Sequence, residues 1–168
     1  MSPQVFFFTS IGFSFIAWGI VAAQIWPVLR RQPRADALRP LLTLHAFRFI
    51  GLAFLVPGVV SPNLPPGFAV AATSGDLIAA VLALLSLSLQ SSRWGIALVW
   101  MLNLWGSGDI LNAFFQANRA GLQADQLGAA YFIPTVIVPL LLISHVLMFA
   151  LLLQSQGKTA IAGNPSRA

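Results

Sequence analysis

Five apolar runs, each long enough to cross a bilayer as a helix, leave this chain few folds to choose from. They cover about residues 5–29, 38–60, 68–89, 95–116 and 128–153, and about 20 helical residues span the roughly 30 Å hydrocarbon layer. The turn Ser61-Pro62-Asn63-Leu64-Pro65-Pro66-Gly67 separates the second from the third, because three prolines so close together cannot continue a helix. Trp26-Pro27 reads as an interfacial anchor followed by a helix break. Only 8% of the residues are charged and 58% are hydrophobic, whereas about a quarter of a soluble domain is charged. The expected fold class is therefore all-α: a five-helix transmembrane bundle in one domain, residues 1–153. Helices satisfy their own backbone in lipid. A β-barrel would alternate polar and apolar residues along every strand, and apolar runs of this length do not.

The charges that remain set an expected orientation. The loop Arg30-Arg31-Gln32-Pro33-Arg34-Ala35-Asp36-Ala37-Leu38-Arg39-Pro40 carries four arginines. Arg93 follows the third run, and Lys158 and Arg167 lie in the polar tail 154–168, expected to be disordered. All of these fall on one side, against Arg119 on the other. Basic loops stay cytoplasmic, so the N-terminus is expected outside and the C-terminus inside. This pattern accounts for the net charge of +5 without a nucleic-acid partner; the bilayer is the expected partner. Met1 to Thr9 lack a basic leader region, so the N-terminus is expected to be retained. There is no cysteine, which excludes disulfides, iron–sulfur clusters and thiol catalysis.

Two carboxylates stand out against this background. Ser74-Gly75-Asp76-Leu77-Ile78-Ala79-Ala80 is echoed by Ser107-Gly108-Asp109-Ile110-Leu111-Asn112-Ala113, and Asp76 and Asp109 are half of the four acidic residues. An ionised side chain facing lipid at mid-bilayer costs about 2.5–3.5 kcal/mol, so Arg48, Asp76 and Asp109 must turn inward and compensate one another. The two aspartates are expected at one level, in the outer half, on neighbouring antiparallel helices. Gly75 beside one, and Gly106, Ser107 and Gly108 beside the other, suit close helix contact. On the fourth run Trp105, Asp109, Asn112 and Gln116 follow the spacing of one helix face; Asn103 and Ser107 lie on a neighbouring face. One Arg against two Asp leaves a surplus negative charge. A proton on one Asp, a charged histidine, or a bound cation would balance it. The candidate ligand-binding set is Arg48, Asp76, Asp109, Asn112, Asn103, Ser107 and Trp105. Asp76 and Asp109 are the candidate acid and base of any catalysis. The alternative is that the same residues only glue helices together.

His45 lies three residues before Arg48, and His145 in the fifth run at a similar depth. Two histidines on different helices could hold a haem axially, although no cofactor is the leading expectation and zinc would want more ligands. Pro134 and Pro139 interrupt the fifth run and free carbonyls that could line a cavity. Trp18, Trp26, Trp94 and Trp100 include interfacial anchors; Phe6-Phe7-Phe8 is a lipid-facing or packing run. No run contains a lysine, which excludes retinal held as a Schiff base. Phosphate loops, nucleophile elbows and metal-binding His-Glu pairs are also absent.

The pattern Arg48-x-x-Gly51-Leu52-x-Phe54-Leu55, Leu64-Pro65-x-x-Phe68-Ala69, Gly75-Asp76 and Asn103-x-x-Gly106-x-x-Asp109 resembles small bacterial multi-pass membrane proteins of unassigned function, over about residues 45–115. The resemblance implies a bacterial cytoplasmic membrane and carries no activity. Three classes are open. One is a binding or transport module for a proton, cation or small ligand, as a homo-oligomer or in a larger complex. The others are a membrane enzyme acting on a lipophilic substrate, and a haem-binding or structural subunit.

Overall fold

The computed structural model describes residues 2–154; the tail expected to be disordered lies outside the described residues from 155 onward. Five long helices dominate. Helix α1 is Pro3–Leu29, and it runs through Pro27 for two residues rather than breaking there, the proline being close enough to the end that little backbone is disturbed. Helix α2, Arg34–Ala46, continues directly into a 3₁₀ stretch, Phe47–Leu55. Helices α3, Pro66–Ser88, and α4, Gly95–Arg119, form an antiparallel pair. A short 3₁₀ helix, Ala124–Tyr131, and a π-helical turn, Ile133–Ile137, lead into α5, Val138–Leu153.

Among the described residues, four segments are long and apolar enough to cross a membrane: α1, α2 with its 3₁₀ stretch, α3, and the π turn with α5. Helix α4 is as long as these, at 25 residues, but is not among the four. Its length carries Asn103, Ser107, Asp109, Asn112 and Gln116. The outer surface is greasy as well: Phe8, Phe13, Leu111, Phe115 and Val146 are all exposed, which is how a helix facing lipid rather than water looks.

The 3₁₀ stretch is unusually long for its type, and it explains a spacing in the sequence. With three residues per turn, Arg48, Gly51 and Phe54 stack on one face, and these are the buried residues of the stretch. Of the prolines of the fifth run, Pro134 lies within the π turn and Pro139 just after it, at the second residue of α5. The Val136 carbonyl of the π turn accepts a hydrogen bond from Trp18 Nε1 at 3.1 Å. That bond ties α1, of which only Leu29 is buried, to the rest of the bundle. Residue Gly128 is non-helical (φ 52°, ψ −133°), a left-handed conformation that glycine adopts without steric cost. A side chain there would strike the Val59 carbonyl, which accepts from Ala129 N at 2.8 Å. The fifth run therefore becomes regular α-helix only at Val138, later than the expected start at 128.

Two apolar clusters occupy opposite ends of the bundle. One gathers Leu38, Leu42, Ala83, Val99, Leu102 and Met148; the other gathers Phe54, Phe68, Ala72, Leu127, Ala130 and Ile133. The ionisable residues of the interior lie in the layer between them.

Candidate functional site

Arg48 is the centre of that layer. Its side chain is 1% exposed, and each guanidinium nitrogen has a partner. Nε donates to Asp76 Oδ1 and Nη2 to Asp109 Oδ2, both at 2.7 Å, and Nη1 donates to the Gly106 carbonyl at 3.2 Å. One planar cation thus spans three helices, an arrangement suited to the fixed fork of arginine and not to a lysine point charge. Asp76 lies ten residues in from Pro66 and Asp109 ten residues in from Arg119, about 15 Å of helix in each case. The two carboxylates are level, as expected from helical rise.

The close approach depends on three glycines. A Cβ on Gly51 would collide with the Asp76 carboxylate, one on Gly75 with the Asp109 carboxylate, and one on Gly106 with Arg48 Nη1. The pattern is cyclic. The chain segment that carries Arg48 offers Gly51 to Asp76, α3 offers Gly75 to Asp109, and α4 offers Gly106 back to Arg48. Each ionic group rests on the bare backbone of the next helix. Thr73 Oγ1, donating to the Gly51 carbonyl at 3.0 Å, fastens the first contact, and Trp105 Nε1 approaches the Gly75 carbonyl at 3.4 Å.

Beneath Arg48 lies a second polar layer. A Cβ on Gly106 would also strike His145, so the imidazole and the guanidinium share that glycine. Asn103 Nδ2 donates to the His145 carbonyl at 3.3 Å, which leaves Asn103 Oδ1 to accept from His145 Nδ1 at 2.6 Å. Ser144 Oγ donates to the Leu141 carbonyl and so receives its bond from His45 Nε2 at 2.9 Å. Both tautomers follow from these partners. His45 Nδ1 and His145 Nε2 are left without partners among the described residues. The two rings touch, with centroids 4.2 Å apart. A porphyrin between axial imidazoles needs a gap that rings in contact do not leave, so haem ligation by this pair would require α2 and α5 to separate.

Above the ionic layer is a cavity of about 450 Å³. Arg48, Asp76 and Asp109 form its floor, and phenylalanines 7, 8, 54, 68 and 114 contribute to its walls. Gln4, Asn118 and Gln123 stand at the end where α1 begins and α4 finishes. Pro134 lines it, as expected of a proline that interrupts its helix.

The structure thus unites Arg48, Asp76 and Asp109, with Asn103 one layer below. Ser107 is spent on the Asn103 carbonyl at 2.5 Å, and Trp105 is largely exposed. Asn112 is exposed and lines no part of the cavity, because three residues along an α-helix fall about 60° short of a full turn from Asp109. Sequence reasoning missed Gly51 as part of the site and took Gly106 only as a small residue for close helix contact, although both stand in the Arg48-x-x-Gly51 and Gly106-x-x-Asp109 spacings. It also missed α1 as a cavity wall, for which the sequence carries no signal.

Residues 6–153 match the family described as Domain of unknown function (DUF8737). The chain belongs to this family. The match spans every element that builds the site, from Phe7 on α1 to His145 on α5. No curated protein and no solved structure matches the chain. DUF8737 membership agrees with the resemblance to proteins of unassigned function, and it supplies no activity.

Proposed function

We propose that the chain is a membrane-embedded binding protein whose cavity takes a small ligand and seats its polar end on Asp76 and Asp109. The observation that carries this is the combination of an apolar cavity with an ionic floor. Its volume, about 450 Å³, lies within the roughly 300–1,000 Å³ of small-molecule sites, which pair apolar walls with a few convergent polar groups. Helices held together by polar glue alone need no open space above the glue.

In this reading α4 is the fifth crossing, with Asp109 turned to the site and Asn103 and Ser107 bonded within the bundle. The end bearing Arg30, Arg31, Arg34, Arg39 and Arg93 faces the cytoplasm, and the cavity opens toward the outer face. Ligand exchange would then occur from the outside or from the outer leaflet. The test is a thermal-shift screen of purified protein in mild detergent against lipids and small amphiphiles, run beside Ala113→Phe, which places a ring in the cavity and spares the ionic layer. Compounds that stabilise the wild type and not the variant support the reading. A screen in which the two proteins respond alike counts against it.

A further inference from the structure

The floor of the cavity presents acceptors, and from this we infer that the ligand is a hydrophobic ammonium: an organic cation with an apolar, preferably aromatic, body. The inference rests on the binding reading above and narrows it to one chemical class.

Charge is the first ground. The floor holds two carboxylates and one guanidinium, a surplus of one negative charge, and the other polar residues lining the cavity, Gln4, Asn118 and Gln123, are neutral. Exposure is the second. The Arg48 side chain is 1% exposed, against 15% for Asp76 and 10% for Asp109, so a ligand meets carboxylate and not guanidinium. Each carboxylate gives one oxygen to Arg48. The other oxygens, Asp76 Oδ2 and Asp109 Oδ1, accept no hydrogen bond among the described residues. As carboxylates they are acceptors only, so the complementary head is a donor, and a cationic donor also cancels the surplus. An anionic head would add to it.

The walls discriminate between kinds of cation. A bare inorganic ion wants six or more oxygens around it, and the floor offers two carboxylates with no hydroxyl beside them. An ammonium on an apolar body needs fewer. Its N–H groups take the carboxylate oxygens, its alkyl surface lies against apolar side chains, and the phenylalanine rings lining the cavity offer cation–π attraction to the charge. Arg48 keeps its own place throughout. It holds the two carboxylates side by side, and their remaining charge is available to the ligand.

The test compares three compounds of one size: 4-phenylbutylamine, 4-phenylbutanol and 4-phenylbutyrate. Binding to the wild type and to Ala113→Phe is measured by thermal shift over a concentration series, or by calorimetry. The amine should bind the wild type at least about tenfold more tightly than the alcohol, as a charge-assisted hydrogen bond would give, and the butyrate more weakly still. In Ala113→Phe the amine response should disappear. Asp109→Asn should level amine and alcohol if it folds, and the Ala113→Phe comparison stands without it. Alcohol or butyrate binding as well as the amine, and lost in Ala113→Phe, overturns the cationic assignment and leaves the cavity reading standing. Equal responses of wild type and Ala113→Phe to all three overturn both.

Discussion

Substituting the glycines of the duplicated Ser-Gly-Asp phrase should separate its two copies. Gly75 and Gly108 occupy the same place in the phrase, immediately before an aspartate. A methyl group on Gly75 would fall on the Asp109 carboxylate; at Gly108 it would meet nothing within 4 Å. For Gly108→Ala the only systematic effect is helix propensity, worth up to about 1 kcal/mol in favour of alanine, so the variant should be as stable as wild type or slightly more. Gly75→Ala gains the same propensity and loses more. Overpacking a filled contact costs about 1–3 kcal/mol. Pushing Asp109 off Arg48 breaks one arm of a buried ion pair, for which removal of a partner costs about 3–5 kcal/mol. Partial relaxation of α4 away from α3 recovers some of this, and a net loss of about 2–4 kcal/mol is expected. Reversible unfolding in mixed micelles, following the tryptophan fluorescence of both variants and wild type in parallel, reads the difference directly. Equal stability of Gly75→Ala and Gly108→Ala would refute the interlocked packing of the three ionic groups on three glycines.

Other consequences of the same geometry can be measured alongside. Arg48→Met strands two carboxylates in the interior and should cost about 3–5 kcal/mol, seen as a collapse in detergent-stable yield; adding Asp76→Asn and Asp109→Asn should restore much of the loss, since no buried charge then lacks a partner. Trp18→Phe removes the donor to the Val136 carbonyl and should destabilise by about 1–2 kcal/mol, with protease cleavage between α1 and α2 rising as α1 loosens. Asn103→Leu deprives His145 Nδ1 and its carbonyl of their partners and should cost about 1–3 kcal/mol in the same unfolding assay. Because the chain has no cysteine, single cysteines at Gln123 and Ser92 can be labelled in intact cells with an impermeant maleimide; Gln123→Cys should react from outside and Ser92→Cys only after the membrane is opened.

Charge in an apolar run is a local property, and this is why the ionic centre is legible in the sequence. Arg48, Asp76 and Asp109 each announce themselves by what surrounds them along the chain, and helical rise alone puts the two aspartates level. Periodicity is less reliable. Asn112 fits the i+7 position of a stripe beginning at Trp105, yet a stripe of that spacing is wide enough for its edge to be exposed while Asp109 faces the core. The three-residue spacing of Arg48, Gly51 and Phe54 is present as well, but over so short a stretch it does not distinguish a 3₁₀ turn from an α-helix. The echo itself hides an asymmetry. Its aspartates correspond, whereas the glycine on α3 that makes room is Gly75 and the one on α4 is Gly106, outside the repeated phrase. Which glycine is needed depends on which neighbour leans on it, and helix neighbours are relations across the bundle that no single run contains. The same holds for the cavity. Its walls come from the start of α1, the 3₁₀ stretch, α3, α4, the segment 121–127 and the π turn, which lie far apart along the chain. Space above the carboxylates is what turns an ion pair that could serve only as glue into a site that can hold something, and space is the one ingredient that composition and spacing do not encode.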